Sequence, residues 1–206
     1  MRARFLLTAA SAILGVAIAN AQITKGPTAV DKADPYVVAI AKGVDYLKVE
    51  VPKWKAEHPC YSCHNNGDAT RALLVAASKG YDIGTTLDDT LAFLKQPSKW
   101  DQNKAPAGFD DKTLAKIQFA SALAVAERHG KAASTDLEAA AKLLVAEQQA
   151  DGSWQLDNSQ SIGSPATYGT LIATWSARST LIASGDRKST RLNSSHQSVS
   201  RMPSSA

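Results

Sequence analysis

Both cysteines of this chain lie in one short stretch, HPCYSCHNN, from His58 to Asn66. Within it, Cys60-Tyr61-Ser62-Cys63-His64 has the spacing C-x-x-C-H, the pattern on which a c-type haem is attached. Two thiols three positions apart reach the two vinyl groups of one porphyrin as thioethers, and the imidazole that follows falls beneath the iron. Cys60 and Cys63 are therefore the candidate attachment residues and His64 the candidate proximal ligand, with haem c as the implied cofactor.

The same residues admit two other chemistries. In an oxidising compartment Cys60 and Cys63 would pair as a small, strained disulfide with thiol-oxidoreductase character, although no thioredoxin-like βαβ pattern surrounds them. Zinc on Cys60, Cys63, His64 and His58 would lack the second ligand pair of an ordinary structural site.

A haem iron also has a sixth position. Between Gln22 and Gly185 there is no methionine, so this segment cannot complete a His/Met pair. His58 stands too near Cys60 to reach the opposite face of a haem. His129 is a candidate distal ligand, in competition with a solvated histidine favoured by the negative end of a helix dipole. Tyr61 and Trp54 would pack on a haem edge or serve as ordinary helix-to-helix packing.

The ends of the chain supply the compartment. MRARFLLTAASAILGVAIANAQ has Arg2 and Arg4, an apolar run from Phe5 to Ala19, and small residues at Ala19 and Ala21. It reads as a secretory signal peptide spanning residues 1–21, too short in its apolar part to cross a bilayer comfortably. No later segment is long and apolar enough to do so, and the expected location is periplasmic or secreted. Haem attachment of this kind takes place on the outer side of the bacterial inner membrane, so leader and motif agree. At the other end, residues 186–206 lose apolar periodicity and turn rich in Ser and Arg. Asp186 to His196 can be back-translated as a sequence that resembles a common sequencing-library adapter, and Ser200 to Ala206 fits its continuation. The native sequence is expected to stop near Gly185 and the gene to continue.

Charge follows from the ends. The chain has 23 Lys and Arg against 19 Asp and Glu, a formal +4. Without Arg2, Arg4, Asp186, Arg187, Lys188, Arg191 and Arg201, 17 basic and 18 acidic residues remain, and the formal charge becomes −1. A basic footprint for nucleic acid has no support in that segment. The sequence specifies no redox partner.

Few aromatics and abundant alanine favour an all-α fold. After a linker at 22–35, residues 36–185 repeat one order three times: a helix, a Trp-containing loop, and an Ala-rich helix closed by glycine. Gly80, Gly130 and Gly185 mark a period of roughly 50 residues, which suits α/α helix-pair repeats. Ile117, Ala120, Leu123, Ala124 and Val125 predict one buried face. Asp68, Thr113, Ser134 and Ser164 are candidate N-caps, and the glycines candidate C-caps. Pro52 and Pro97 are expected where the first helix of a pair gives way to its loop.

In EQQADGSWQLD, the residues Gln149, Asp151, Gly152, Ser153 and Trp154 follow a helix ending AKLLV. They resemble the QW repeat of squalene-hopene cyclases and the related α/α toroids, which include protein prenyltransferase beta subunits. The resemblance implies a toroid of five or six helix pairs, of which three would be a truncated part, with the Gln capping a helix end and the Trp stacking between repeats. It is looser in the first two repeats, where Trp54 and Trp100 stand without the Gly-Ser-Trp run. The cyclase acid motif DxDD is absent: Asp88-Asp89 and Asp110-Asp111 are isolated pairs that read as helix N-terminal charge. The prenyltransferase zinc set of Asp, Cys and His is not visible either. The sequence therefore predicts an exported, haem-bearing helical repeat protein for electron transfer or redox sensing. Its alternatives are part of a cyclase-like enzyme whose catalytic residues lie past residue 185, and a non-catalytic binding module with an oxidised C-x-x-C loop.

Overall fold

The computed structural model describes residues 34–104, 111–156 and 169–185. The leader, the 186–206 tail, Asp110 and Ser164 lie outside them. Every element among the described residues is helical: α1 (Pro35–Glu57), a π-helical segment (Cys63–Asp68) running into α2 (Ala69–Ser78), α3 (Asp88–Leu94), a 3₁₀ segment (Pro97–Gln102), α4 (Lys112–Arg128), α5 (Ser134–Glu147) and α6 (Gly169–Ala183). The expected all-α class holds, and no helix among these residues is long and apolar enough to cross a membrane.

Helices adjacent in sequence pack as neighbours, α1 on α2, α3 on α4 and α5 on α6, while α4 also meets α2, α5, α6 and the π-helical segment. The centre of the core is therefore α4. From Ile117 to Ala124 every residue is buried, Gln118 and Ser121 included. The expectation of a single apolar face undercounts this, because α4 has helices on several sides. Alanines and serine keep its girth small enough for them to approach, and a helix buried all round loses its amphipathic stripe. Ser121 Oγ lies 2.7 Å from Ser176 Oγ and 3.2 Å from Thr180 Oγ1 on α6, so the polar atoms this approach buries satisfy one another.

Helix ends follow local chemistry, not always at the expected residue. The three closing glycines take left-handed φ values of +88° (Gly80), +67° (Gly130) and +79° (Gly185), a region that costs glycine little. Asp111 caps α4 by accepting from Leu114 N at 2.8 Å, while Thr113, the second helical residue, donates instead to Glu147 at 2.8 Å. At α5 the cap position is Ala133, whose N–H donates to Asp136 at 3.2 Å, and Ser134 is the first helical residue. Pro52 does not end α1. The helix runs on to Glu57, held by fully buried Val51 and by Trp54, which stacks on His58 with ring centroids 3.8 Å apart. Pro97 opens the 3₁₀ segment as expected.

In the third pair, Trp154 is fully buried and its Nε1–H donates to the Leu144 carbonyl at 2.8 Å. That carbonyl belongs to the last turn of α5, where acceptors have no intrahelical donor. The tryptophan thus caps the helix. Gln149, expected to cap a neighbouring helix, donates its side-chain amide to the nearby Glu147 carbonyl at 3.2 Å. A further tie joins the second pair to the third: Lys116 bonds Glu147 on α5 and Asp101 in the 3₁₀ segment, the latter at 2.8 Å.

Candidate functional site

The C-x-x-C-H residues straddle a helix start. Ser62 is the N-cap, its Oγ accepting from His64 N and Asn65 N at 3.1 Å each, while Asn66 Oδ1 accepts from Ser62 N at 2.8 Å. These reciprocal bonds form the Ser/Asn counterpart of a capping box. They start the helix at Cys63, five residues before the expected cap at Asp68, which has helical dihedrals and caps nothing. The first turn is π-helical, a form found mostly in short pieces and often at functional sites.

Two amides anchor this start. Asn66 Nδ2 donates to Thr90 Oγ1 on α3 at 2.9 Å. Asn103, beyond the 3₁₀ segment, accepts from Tyr61 N at 2.8 Å and donates to Tyr61 O at 2.9 Å. Tyr61 stacks flat on Phe93, with centroids 3.9 Å apart, and its hydroxyl donates to Asp89 in the first turn of α3. The loop of the first pair is therefore fastened to the second, and Tyr61 serves inter-pair packing. Burial first, and the Asp89 carboxylate second, push the Tyr61 pKa up to about 12.

The two thiols differ. Cys60 is buried at 2 % exposure and Cys63 only partly; neither is bridged. Burial raises the Cys60 pKa, opposed in part by Trp54 and Lys55, which makes its thiolate scarce at neutral pH. His58 turns away to Trp54, with Nδ1 3.1 Å from that residue's carbonyl oxygen. Among the described residues no three His, Cys, Asp or Glu side chains converge as a metal-holding group, so a zinc site of Cys60, Cys63, His64 and His58 is not assembled.

His64 presents Nδ1 to Asp68 Oδ2 at 3.5 Å, one helical turn on. Asp68 is the focus of a cluster: Arg71 Nη2 donates to its Oδ1 at 2.6 Å and Gln118 Nε2 to its Oδ2 at 2.6 Å. Gln118 reaches it from α4 because Gly67 faces that helix. A Cβ on Gly67 would stand 3.2 Å from Gln118 Cβ. Gln118 is fully buried, and its Oε1 has no hydrogen-bond partner among the described residues. An unsatisfied buried carbonyl costs about 1–3 kcal/mol. Turning the amide over would place that oxygen against the carboxylate, so the charge of Asp68 fixes the orientation and outweighs the cost.

His64 also borders a cavity of about 400 Å³ between α1 and α2, with Tyr46, Leu47, Val51, Ala69 and Ala72 among its walls; neither cysteine lines it. The donor set matches what a c-type haem needs in residue type and spacing: two unbridged thiols, Cys60 and Cys63, followed at once by the His64 imidazole.

The structure does not bring His129 to His64. His129 caps the far end of α4, roughly 16 Å beyond Gln118 at about 1.5 Å per residue. It borders a separate cavity of about 340 Å³ with Leu74, Leu87 and Leu91. Sequence reasoning missed Asp68 as a partner of His64, although the i, i+4 spacing on a helix was a signal for it. It missed Gln118 and Asn103 altogether, since only the fold brings them to the loop.

Comparison of the chain with protein-family models, with curated proteins and with solved structures gives no match.

Proposed function

We propose that this chain is an exported protein that carries a covalent c-type haem on Cys60 and Cys63, with His64 as the proximal ligand, and that it serves electron transfer or redox sensing. The reading rests on C-x-x-C-H as the chain's only cysteine-bearing segment. The Nδ1 of His64 turned to Asp68 supports it. When bound, such a haem supplies one-electron Fe(III)/Fe(II) exchange. The chain's own part is to hold the imidazole beside a cavity whose walls mix apolar Leu47, Val51, Ala69 and Ala72 with Glu50, Asn65 and Asp68, and to keep the loop seated on α3 through Tyr61 and Asn66. The helix pairs are the scaffold, similar in order to the squalene-cyclase-like α/α repeats.

Export of the chain into a periplasm with haem-attachment machinery tests this. The wild type is expected to give a pyridine haemochrome spectrum of the c type, and Cys60→Ala/Cys63→Ala to give none. A colourless wild type overturns the reading, and thiol titration of that product then distinguishes a disulfide from two thiols.

A further inference from the structure

We infer that the cavity at the closing ends of α2 and α4 is a binding site for a free apolar α-amino acid, with Asp88 taking its ammonium group, Lys131 and His129 its carboxylate, and three leucines its side chain. The inference is independent of the haem reading, because this cavity shares no residue with the one beside His64.

Three segments meet here. Leu74 comes from α2, Leu87, Asp88 and Leu91 from the start of α3, and His129 and Lys131 from the exit of α4. The volume of about 340 Å³ lies at the small end of the ligand-pocket range, roughly 300–1,000 Å³, which suits an amino acid. Burial divides the lining in two. Leu74, Leu87 and Leu91 are buried, at 2, 2 and 8 % exposure, His129 is half-buried, and Asp88 and Lys131 are exposed. An apolar floor therefore lies under a charged rim.

The rim charges are uncommitted. Ser78, which also lines the cavity, turns its hydroxyl back to the Val75 carbonyl at 2.7 Å. Asp89 is taken by the Tyr61 hydroxyl. The side chains of Asp88, His129 and Lys131 have no hydrogen bond or ion pair among the described residues. One carboxylate and one ammonium on the same rim oppose any ligand of a single charge, since it meets a like charge beside the opposite one. A zwitterion satisfies both. The C-terminal ends of α2 and α4 border the cavity, and the negative end of a helix dipole favours the ammonium group near Asp88. Lys131 supplies the charge for the carboxylate, and the His129 ring can add an N–H to it. Each methylene buried on the leucines then strengthens binding roughly fourfold.

Titration of the full chain, followed by amide ¹H–¹⁵N shifts, tests this. The probes are L-phenylalanine and L-alanine, with 3-phenylpropionate and phenethylamine each lacking one charge. L-Phenylalanine is expected to give saturable shifts confined to residues 74–91 and 129–131, and to bind roughly tenfold more tightly than the other three. Asp88→Asn is expected to weaken L-phenylalanine about fivefold without weakening 3-phenylpropionate, and Lys131→Gln to weaken it about fivefold without weakening phenethylamine. Both positions are exposed, and two independent variants carry the test. Absence of saturable shifts at millimolar L-phenylalanine overturns the inference, as does equal binding of L-alanine or an affinity that both variants leave in place. Preference for 3-phenylpropionate or phenethylamine over L-phenylalanine also overturns it, because the cavity would then take a singly charged ligand.

Discussion

The side-chain amide of Asn103 and the backbone of Tyr61 exchange two hydrogen bonds, at 2.8 and 2.9 Å, across 42 residues of sequence. One amide group thus imitates a strand partner, satisfying both the N–H and the C=O of the residue that follows the first cysteine. Asn103→Ala leaves both groups wanting in a half-buried place and is expected to cost about 1–3 kcal/mol. Amide hydrogen exchange at Tyr61 should accelerate well beyond the change in global stability; a change equal to the global one would mean that the clasp has no local role.

Tyr61 also gives the protein an alkaline limit. Its phenol is raised in the folded state to about 12, above the ordinary value of 10. The folded chain therefore holds this proton more tightly than the unfolded chain does, and the stabilisation is complete below pH 10 and is lost as pH rises through about 12. Tyr61→Phe keeps the ring on Phe93 but removes the ionisation. Urea midpoints for wild type and variant are expected to converge as pH climbs from about 9 to about 11.5.

Two glycines should respond to alanine with opposite signs. Gly43 sits inside α1, where an added methyl group would have no other atom within 4 Å, and Gly43→Ala is expected to stabilise by about 0.5–1 kcal/mol through helix propensity. Gly67 gains the same propensity but would meet Gln118 Cβ at 3.2 Å with the α4 backbone close behind. Overpacking costs about 1–3 kcal/mol and outweighs the gain. Thermal melts of the two variants test the contrast, and equal shifts would show that α4 yields.

The thiols of the haem-free chain should separate by accessibility. Cys63 is expected to be alkylated first, and Cys60, at 2 % exposure with a raised pKa, only slowly until denaturant is added. Mass spectrometry of tryptic peptides after a timed iodoacetamide pulse reads the ratio. Equal labelling in native buffer would place Cys60 at the surface.

Trp154 tests the end of α5. Trp154→Phe retains most of the buried ring but leaves the Leu144 carbonyl without its donor, an expected loss of about 1–3 kcal/mol. Trp154→Ala adds a cavity and is expected to cost about 3–5 kcal/mol. Denaturant midpoints order the three proteins, and a phenylalanine variant as stable as wild type would assign the tryptophan to packing alone.

How much of this was legible in the sequence depends on range. The helical class, the order of the elements and the left-handed glycines are local or periodic properties, and Gly80, Gly130 and Gly185 signalled them directly. The candidate loop was singled out too, because C-x-x-C-H is a contiguous motif. What escaped was decided by tertiary approach. Pro52 fails to end α1 because Val51 is buried. Asp68 fails to cap because Ser62 starts the helix earlier. Gln118 reads as a polar interruption in an apolar helix until α4 is laid against Gly67, where it becomes a side chain long enough to cross to Asp68.

The position of α4 has a consequence for how the molecule comes apart. In a linear array each unit would open from its own end with only one neighbour affected. Here the helix that α2, α3, α5 and α6 all lean on is in the middle, so loosening it withdraws support from every pair at once. The outer pairs are free to fray individually, whereas opening α4 requires a global event, and its amides should be the last in the chain to exchange with solvent.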